Sequence, residues 1–293
     1  MTILNTAESG IYPELIILFR AITYLHEIER SELIKLCSPD GDSHHRLSGT
    51  LTRWTELGLF SVTDGRYKIT PKYLKTAHVT IEQHTALLPK FCRELVFEEK
   101  NCSDIWQETQ GASDFVRGIS WLLCQDIYKF SSTWENAGSL ISSQLTGGKL
   151  GITNDVRWNG LRFWSRYLGF TTGEGASFQI DPTIAIRDEL MSVFGNDSEL
   201  LALEFLGRLK NKLPVLDHGI YRTELENNLD RRSWRELPKN QISMSLSFAL
   251  MRLQYSKELI LIARSDTGES IKLTGADYEE WGSFESVVIG SKV

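Results

Sequence analysis

The chain runs to 293 residues, 41% hydrophobic and 10% aromatic, with 32 basic against 38 acidic side chains and a net charge of −6. That length predicts about two or three domains with sizeable cores, and the acidic balance argues against a protein that coats nucleic acid indiscriminately, because Lys and Arg supply most non-specific phosphate binding. No 18-residue apolar run occurs and MTILNTAESG lacks the basic and apolar segments of a signal peptide, so neither a membrane span nor secretion is expected and the cytoplasm is the default compartment.

Pro13 to Glu29 places Leu15, Leu18, Ile22 and Leu25 at the three- and four-residue spacing of a buried helical face. Ser31 to Leu36 predicts a short second helix with Ser31 as its N-cap, broken by Pro39-Asp40-Gly41-Asp42. His44 to Leu57 predicts a third, with Leu47, Leu51, Trp54 and Leu57 facing inward. LGLFSVTDGRYKIT (57 to 70) then sets Asp64-Gly65 between two β-prone runs, a strong hairpin signal because a type I′ turn needs positive φ at both central residues. Three helices and a hairpin in this order predict a winged helix-turn-helix over residues 1–75. Residues 76–111, including ALLPKFCRELVFEEK, predict a helical connector.

The same order returns twice. Helices are expected over 112 to 130, 134 to 145 and 154 to 170, the last ending in Leu168-Gly169-Phe170, and TTGEGASFQIDP then supplies a Gly-rich turn for a second wing; this domain spans 112–190. A fainter third copy, 191–293, is read as helices over 198 to 213, 221 to 229 and 241 to 259, then a hairpin in LILIARSDTGESIKLT turning at Ser265 to Gly268. The periods are unequal, so the expected fold class is mainly α with small β-hairpin wings (α+β), as tandem winged helix-turn-helix domains joined by a helical connector.

In such folds the recognition helix carries Arg, Asn, Ser and Thr toward phosphates and base edges. Arg46, Thr50 and Arg53 form such a stripe opposite Leu51 and Trp54, with Ser48 and Thr52 beside it. The second set offers Asn159, Arg162 and Arg166, joined by Arg157 and Lys149. In the third, Ser243, Ser245, Ser247 and Ala249 form a face poor in cations that looks built to pack. Arg231-Arg232-Ser233-Trp234-Arg235, with Lys239, is the densest basic cluster, able to clamp a backbone or simply to solvate a loop. Trp158, Phe163, Trp164 and Tyr167 read as core rather than base-stacking residues. An amphipathic helix carrying arginine is also commonly just a solvated face.

Catalysis has no visible anchor. Cys37, Cys92, Cys102 and Cys124 form no C-x-x-C pair, His44-His45 has no third ligand at zinc spacing, and His78 and His84 are not an i, i+4 pair. Gly147-Gly148-Lys149 lacks the remainder of a phosphate loop, and Glu98-Glu99 and Glu279-Glu280 read as surface charge. No enzyme activity, cofactor or metal is expected.

TILNTAESGIYPELIILFRAI, the LGLF turn into the first hairpin and DPTIAIRDEL (181 to 190) resemble DpdG-type proteins, encoded in bacterial clusters that insert 7-deazaguanine derivatives into DNA and restrict unmodified DNA. The resemblance implies an accessory part in an anti-phage restriction system, beside ATPases and helicases that do the motor work, and it carries over no catalytic residue. Two readings stay open. The helices at 44 to 57 and 153 to 168 bind duplex DNA, or the winged helices are scaffolds that dock an ATPase or helicase partner or a second copy of the chain; the stripes favour the first and the acidic total the second.

Overall fold

The computed structural model describes residues 3–4, 12–74, 79–107, 111–145, 150–263 and 270–291. Residues 5–11 of the opening segment, His78, Gly147-Gly148-Lys149 and the expected turn at Ser265 to Gly268 lie outside these described residues. The chain is mainly helical, with small antiparallel sheets. In chain order the elements begin with α1 (Tyr12–Leu25), β1 (Ile28–Glu29), α2 (Arg30–Cys37), α3 (His44–Leu57), β2 (Phe60–Thr63) and β3 (Arg66–Ile69). There follow α4 (Ile81–Ala86), α5 (Leu88–Phe97), α6 (Ser113–Leu123), α7 (Trp134–Gln144), α8 (Asp155–Tyr167), β4 (Thr171–Thr172) and β5 (Gln179–Ile180). The last are α9 (Thr183–Phe194), β6 (Glu199–Leu201), α10 (Ala202–Lys212), α11 (Ile220–Glu226), α12 (Met244–Tyr255), β7 (Leu259–Ile262), β8 (Ile271–Thr274), β9 (Glu280–Phe284) and β10 (Ser286–Ile289). Two compact units form, one of residues 1–115 with 154–168 and one of 116–153 with 169–293.

In the first unit, Leu15, Leu18 and Ile22 of α1 and Leu51 and Trp54 of α3 are fully buried. α3 stops where Gly58, at φ 101°, turns left-handed and its N–H reaches the Trp54 and Thr55 carbonyls, a conformation in which a side chain is disfavoured. The hairpin β2–β3 turns on Asp64 (φ 51°) and Gly65 (φ 76°), the two positive φ values the sequence pattern requires. β1 adds to β3 with Ile28 opposite Tyr67, giving the strand order β1-β3-β2. Ser31 lies inside α2 rather than at its cap, which is Glu29 and makes no side-chain capping bond. The pairing of Ile28 and Glu29 with β3 fixes where α2 can begin. α8 joins the same unit, its start capped by the Asn154 side chain, with Trp164 against Trp54 at 5.4 Å between ring centroids. A Cβ on Gly160 would meet the Leu4 carbonyl oxygen at 2.3 Å, so this position admits only glycine.

In the second unit, Trp121 Nε1 donates to Gln144 Oε1 at 2.7 Å, and Gln144 Nε2 donates to Gln125 Oε1 at 3.0 Å, satisfying a buried polar cluster between α6 and α7. The helix expected over 112 to 130 ends at Leu123, and the Asp126 carboxylate then accepts the Tyr128 and Lys129 amides in a tight turn. The Gly-rich stretch after α8 forms the two-stranded β4–β5 ladder, Thr171 opposite Ile180.

The C-terminal region departs from expectation in its pairing. Residues 198 to 213 are not one helix: β6 occupies 199–201 and α10 follows. LILIARSDTGESIKLT is not a hairpin, because β7 pairs with β10 and β8 pairs with β9. The resulting three-stranded sheet has the order β6-β10-β7. Val287 of β10 is fully buried opposite Leu200 and Leu261, and no short-range turn can supply that burial. α12 sits under this region with Ser245, Ser247, Ala249, Leu250 and Leu253 buried. The cation-poor face is thus a packed one.

Candidate nucleic-acid interface

On α3 the inward stripe of Leu47, Leu51, Trp54 and Leu57 leaves a polar outer face of His45, Ser48, Thr52 and Glu56. This face is rotated from the stripe expected from the sequence. Thr50 is fully buried and Arg53 is only 4% exposed. Arg53 Nη1 pairs with Glu56 at 3.0 Å while its Nε has no hydrogen-bond partner among the described residues, and burial depresses its pKa against the opposing pull of Glu56 and Asp114. Arg46 remains half-exposed, with Nε 3.3 Å from the buried Glu14 carboxylate. Of the three, Arg46 alone reaches solvent, and a carboxylate already holds it.

Arg30, at the start of α2, is the residue the sequence pattern missed. It is exposed and reaches across α3, its Nη2 donating to Ser48 Oγ at 2.6 Å and Thr52 Oγ1 at 2.9 Å while Nη1 donates to Tyr67 Oη at 3.4 Å. One guanidinium therefore ties the outer face of α3 to the middle strand of the hairpin sheet. Only the strand pairing of β1 brings Arg30 there, so no helical periodicity could have shown it. Between α2, α3 and the Asp64-Gly65 turn lies an open groove of about 1180 Å³. Arg30, His44, His45, Ser48 and Thr52 line it, together with Glu29, Glu56 and Asp64. Its donors can meet phosphate oxygens and base edges, and its carboxylates set a limit on how much anion it attracts.

α8 carries the second stripe. Asn159 is exposed, and Arg157, Arg162 and Arg166 are half-buried. Arg162 Nη1 lies 3.5 Å from Asn159 Oδ1, and Arg166 Nη2 donates to Tyr12 Oη at 3.0 Å with its guanidinium over Phe163. Burial first, then the charge of Arg166, lowers the pKa of Arg162. Trp158 and Trp164 are buried, while Phe163 and Tyr167 are half-buried and stack on Tyr12 at 4.5 and 4.4 Å. These aromatics hold α1 to α8.

In the second unit, Arg231 pairs with Glu236 at 3.2 Å and lies over Trp234; Arg232 pairs with Asp230 at 2.6 Å; Arg235 lies 4.5 Å over the Tyr278 ring. The Arg232 guanidinium brings the Asp230 carboxyl down to about 2. These three arginines converge on one surface hollow with Trp234 and Tyr278.

Among the described residues, no three His, Cys, Asp or Glu side chains gather in a way that could hold a metal ion, and no helix is long and apolar enough to cross a membrane. None of the four cysteines forms a disulfide among the described residues. No curated protein and no solved structure matches the chain. The DpdG-like family model does match, over residues 1–267, so the chain belongs to the DpdG-like family, and that membership suggests an accessory role in a DNA-modification system.

Proposed function

We propose that the protein is a non-catalytic, DNA-binding component of a bacterial DNA-modification and anti-phage restriction system, built on winged-helix units, with α3 as its reading helix. The observation that carries this is Arg30, held by Ser48, Thr52 and Tyr67 across the outer face of α3 beside the open groove. An arginine fixed in that way presents donors at low entropic cost to a phosphate or a guanine edge. The winged-helix reading is supported by the order helix, strand, helix, helix, hairpin and by the strand order β1-β3-β2. The strand order β6-β10-β7 repeats that arrangement, with the last strand between the other two and the β8–β9 ladder inserted before it. Asn159, Arg162 and Arg166 of α8 supply a further basic stripe within the first unit.

The test is duplex binding followed by fluorescence anisotropy over a range of salt. Arg30→Ala weakens binding by about tenfold or more if the residue meets a base edge, and it flattens the salt slope by about one if it meets a phosphate. Unchanged affinity and slope reject α3 as the reader.

A second reading is favoured by a specific observation: Glu29, Glu56 and Asp64 share the groove, and Arg46 and Arg53 are already paired with carboxylates. On that reading the groove docks an ATPase or helicase partner, and a pull-down from the native gene neighbourhood retains the partner in wild type and loses it on Ser48→Arg, with no duplex shift in either.

A further inference from the structure

A buried arginine with an unspent donor stands apart from the α3 groove. Arg222 of α11 is 2% exposed. Its Nε donates to Glu226 at 2.6 Å, but its Nη1 is shielded from solvent and has no hydrogen-bond partner among the described residues. A buried unsatisfied donor is costly unless something outside the chain meets it. Arg222 lines a cavity of about 140 Å³ in the second unit, on whose wall lie also His218, Arg235, Lys239 and the Cys124 thiol.

The charges around this cavity divide in an instructive way. Each of its carboxylates is already engaged: Asp126 by the Tyr128 and Lys129 amides, Asp217 by the amide and hydroxyl of Ser243 at 2.6 and 2.7 Å, Glu226 by Arg222, and Glu236 by Arg231. Arg222 is engaged through its Nε alone, and the donors at the rim are not engaged. His218 and Lys239 have no hydrogen-bond or ion-pair partner among the described residues, and Arg235 touches only the face of Tyr278. His218 is held at φ 61°, a left-handed conformation that a residue with a side chain adopts at a cost and that recurs at binding sites. The carboxylates keep their charge but direct it into these bonds, and the unspent donors of Arg222, Arg235 and Lys239 fit a hydrogen-bond acceptor.

We propose that this cavity is a binding site for a phosphoryl oxyanion, either free phosphate or the terminal phosphate of a small phosphomonoester, with Arg222 Nη1 as the buried donor and His218, Arg235 and Lys239 closing from the rim. A group of about 140 Å³ fits it; a duplex does not. The site is separate from the α3 groove and does not depend on the DNA-binding reading.

The test is calorimetric titration of the full chain with inorganic phosphate and with a nucleoside monophosphate, beside the rate at which a thiol reagent labels Cys124, with the half-buried Cys37 of the first unit as internal control. Saturable heat is expected, with slowed labelling of Cys124 and unchanged labelling of Cys37. Equal affinity for the two ligands assigns free phosphate; tighter monophosphate binding assigns the ester. Arg222→Gln abolishes the heat, and Arg235→Ala with Lys239→Ala, both on exposed positions, weakens it by about tenfold. The rim pair decides the matter if Arg222→Gln does not fold. No heat at millimolar phosphate, or heat unaltered in the rim variant, overturns the site. Duplex binding lost in the rim variant while phosphate binding is retained overturns it too, and assigns those two cations to a nucleic-acid backbone.

Discussion

α3 and α12 hold the same station in two similar arrangements. α3 follows a strand and one helix and α12 a strand and two helices, each leads into a strand of a three-stranded sheet, and in both sheets the last strand lies between the other two. Their surroundings differ. α3 keeps His45, Ser48, Thr52 and Glu56 on an outer face bordering an open groove, with Arg30 laid across it. α12 spends its serines inside: Ser245 Oγ donates to the Leu123 carbonyl at 2.8 Å, and Ser247 Oγ accepts the Thr274 amide at 2.8 Å. The same residue type can therefore be a surface donor on one helix and a core strut on another. Topology does not separate the two helices; the uncovered polar face of α3 does, and its proposed reading role rests on that face.

The comparison breaks most readily at the core of α12. Leu250 is fully buried, so Leu250→Ala is expected to cost about 2–5 kcal/mol in denaturant unfolding, and a loss under about 1 kcal/mol contradicts a packed α12. Ser247→Ala strands the buried Thr274 amide and is expected to cost about 1–3 kcal/mol by the same measurement. A smaller effect sharpens the other side. Glu14→Gln removes the carboxylate that holds Arg46, and the freed guanidinium is expected to tighten duplex binding and steepen its salt slope by about one; an unchanged slope means Arg46 takes no part. The least stability change is expected from Ser48→Ala with Thr52→Ala, each within about 0.5 kcal/mol because both side chains face the groove. Those two substitutions release Arg30, so duplex affinity falls while the melting midpoint stays.

Much of the first unit is legible in the sequence because its signals are local. The bounds of α3 follow from Leu47, Leu51, Trp54 and Leu57 with Gly58 after them, and the hairpin from Asp64-Gly65. The phase of the polar face is not legible. Arg53 sits one position from Trp54 and enters the interior because Glu56 and Asp114 compensate its charge, and Asp114 lies far along the chain. Arg30 escapes notice for the same reason, since β1 brings it to α3 only through pairing with β3. In the C-terminal region the error is one of partner choice. β7 and β8 look like two arms of one turn, yet β7 gains more by pairing with SVVI of β10, whose Val287 is fully buried. Pairing between distant strands leaves no trace in local periodicity. The basic cluster at 231 to 235 was legible as composition; that two of its arginines are neutralised by Glu236 and Asp230 was not.

The most direct measurement reads both helices at once: amide hydrogen exchange of the full chain with and without duplex DNA at low salt. The account predicts slowed exchange through α3 and the β2–β3 turn, residues 44–69, and no change through α12 and β7, residues 244–262. Slowing confined to 244–262, or none anywhere at a duplex concentration that saturates retention, contradicts it.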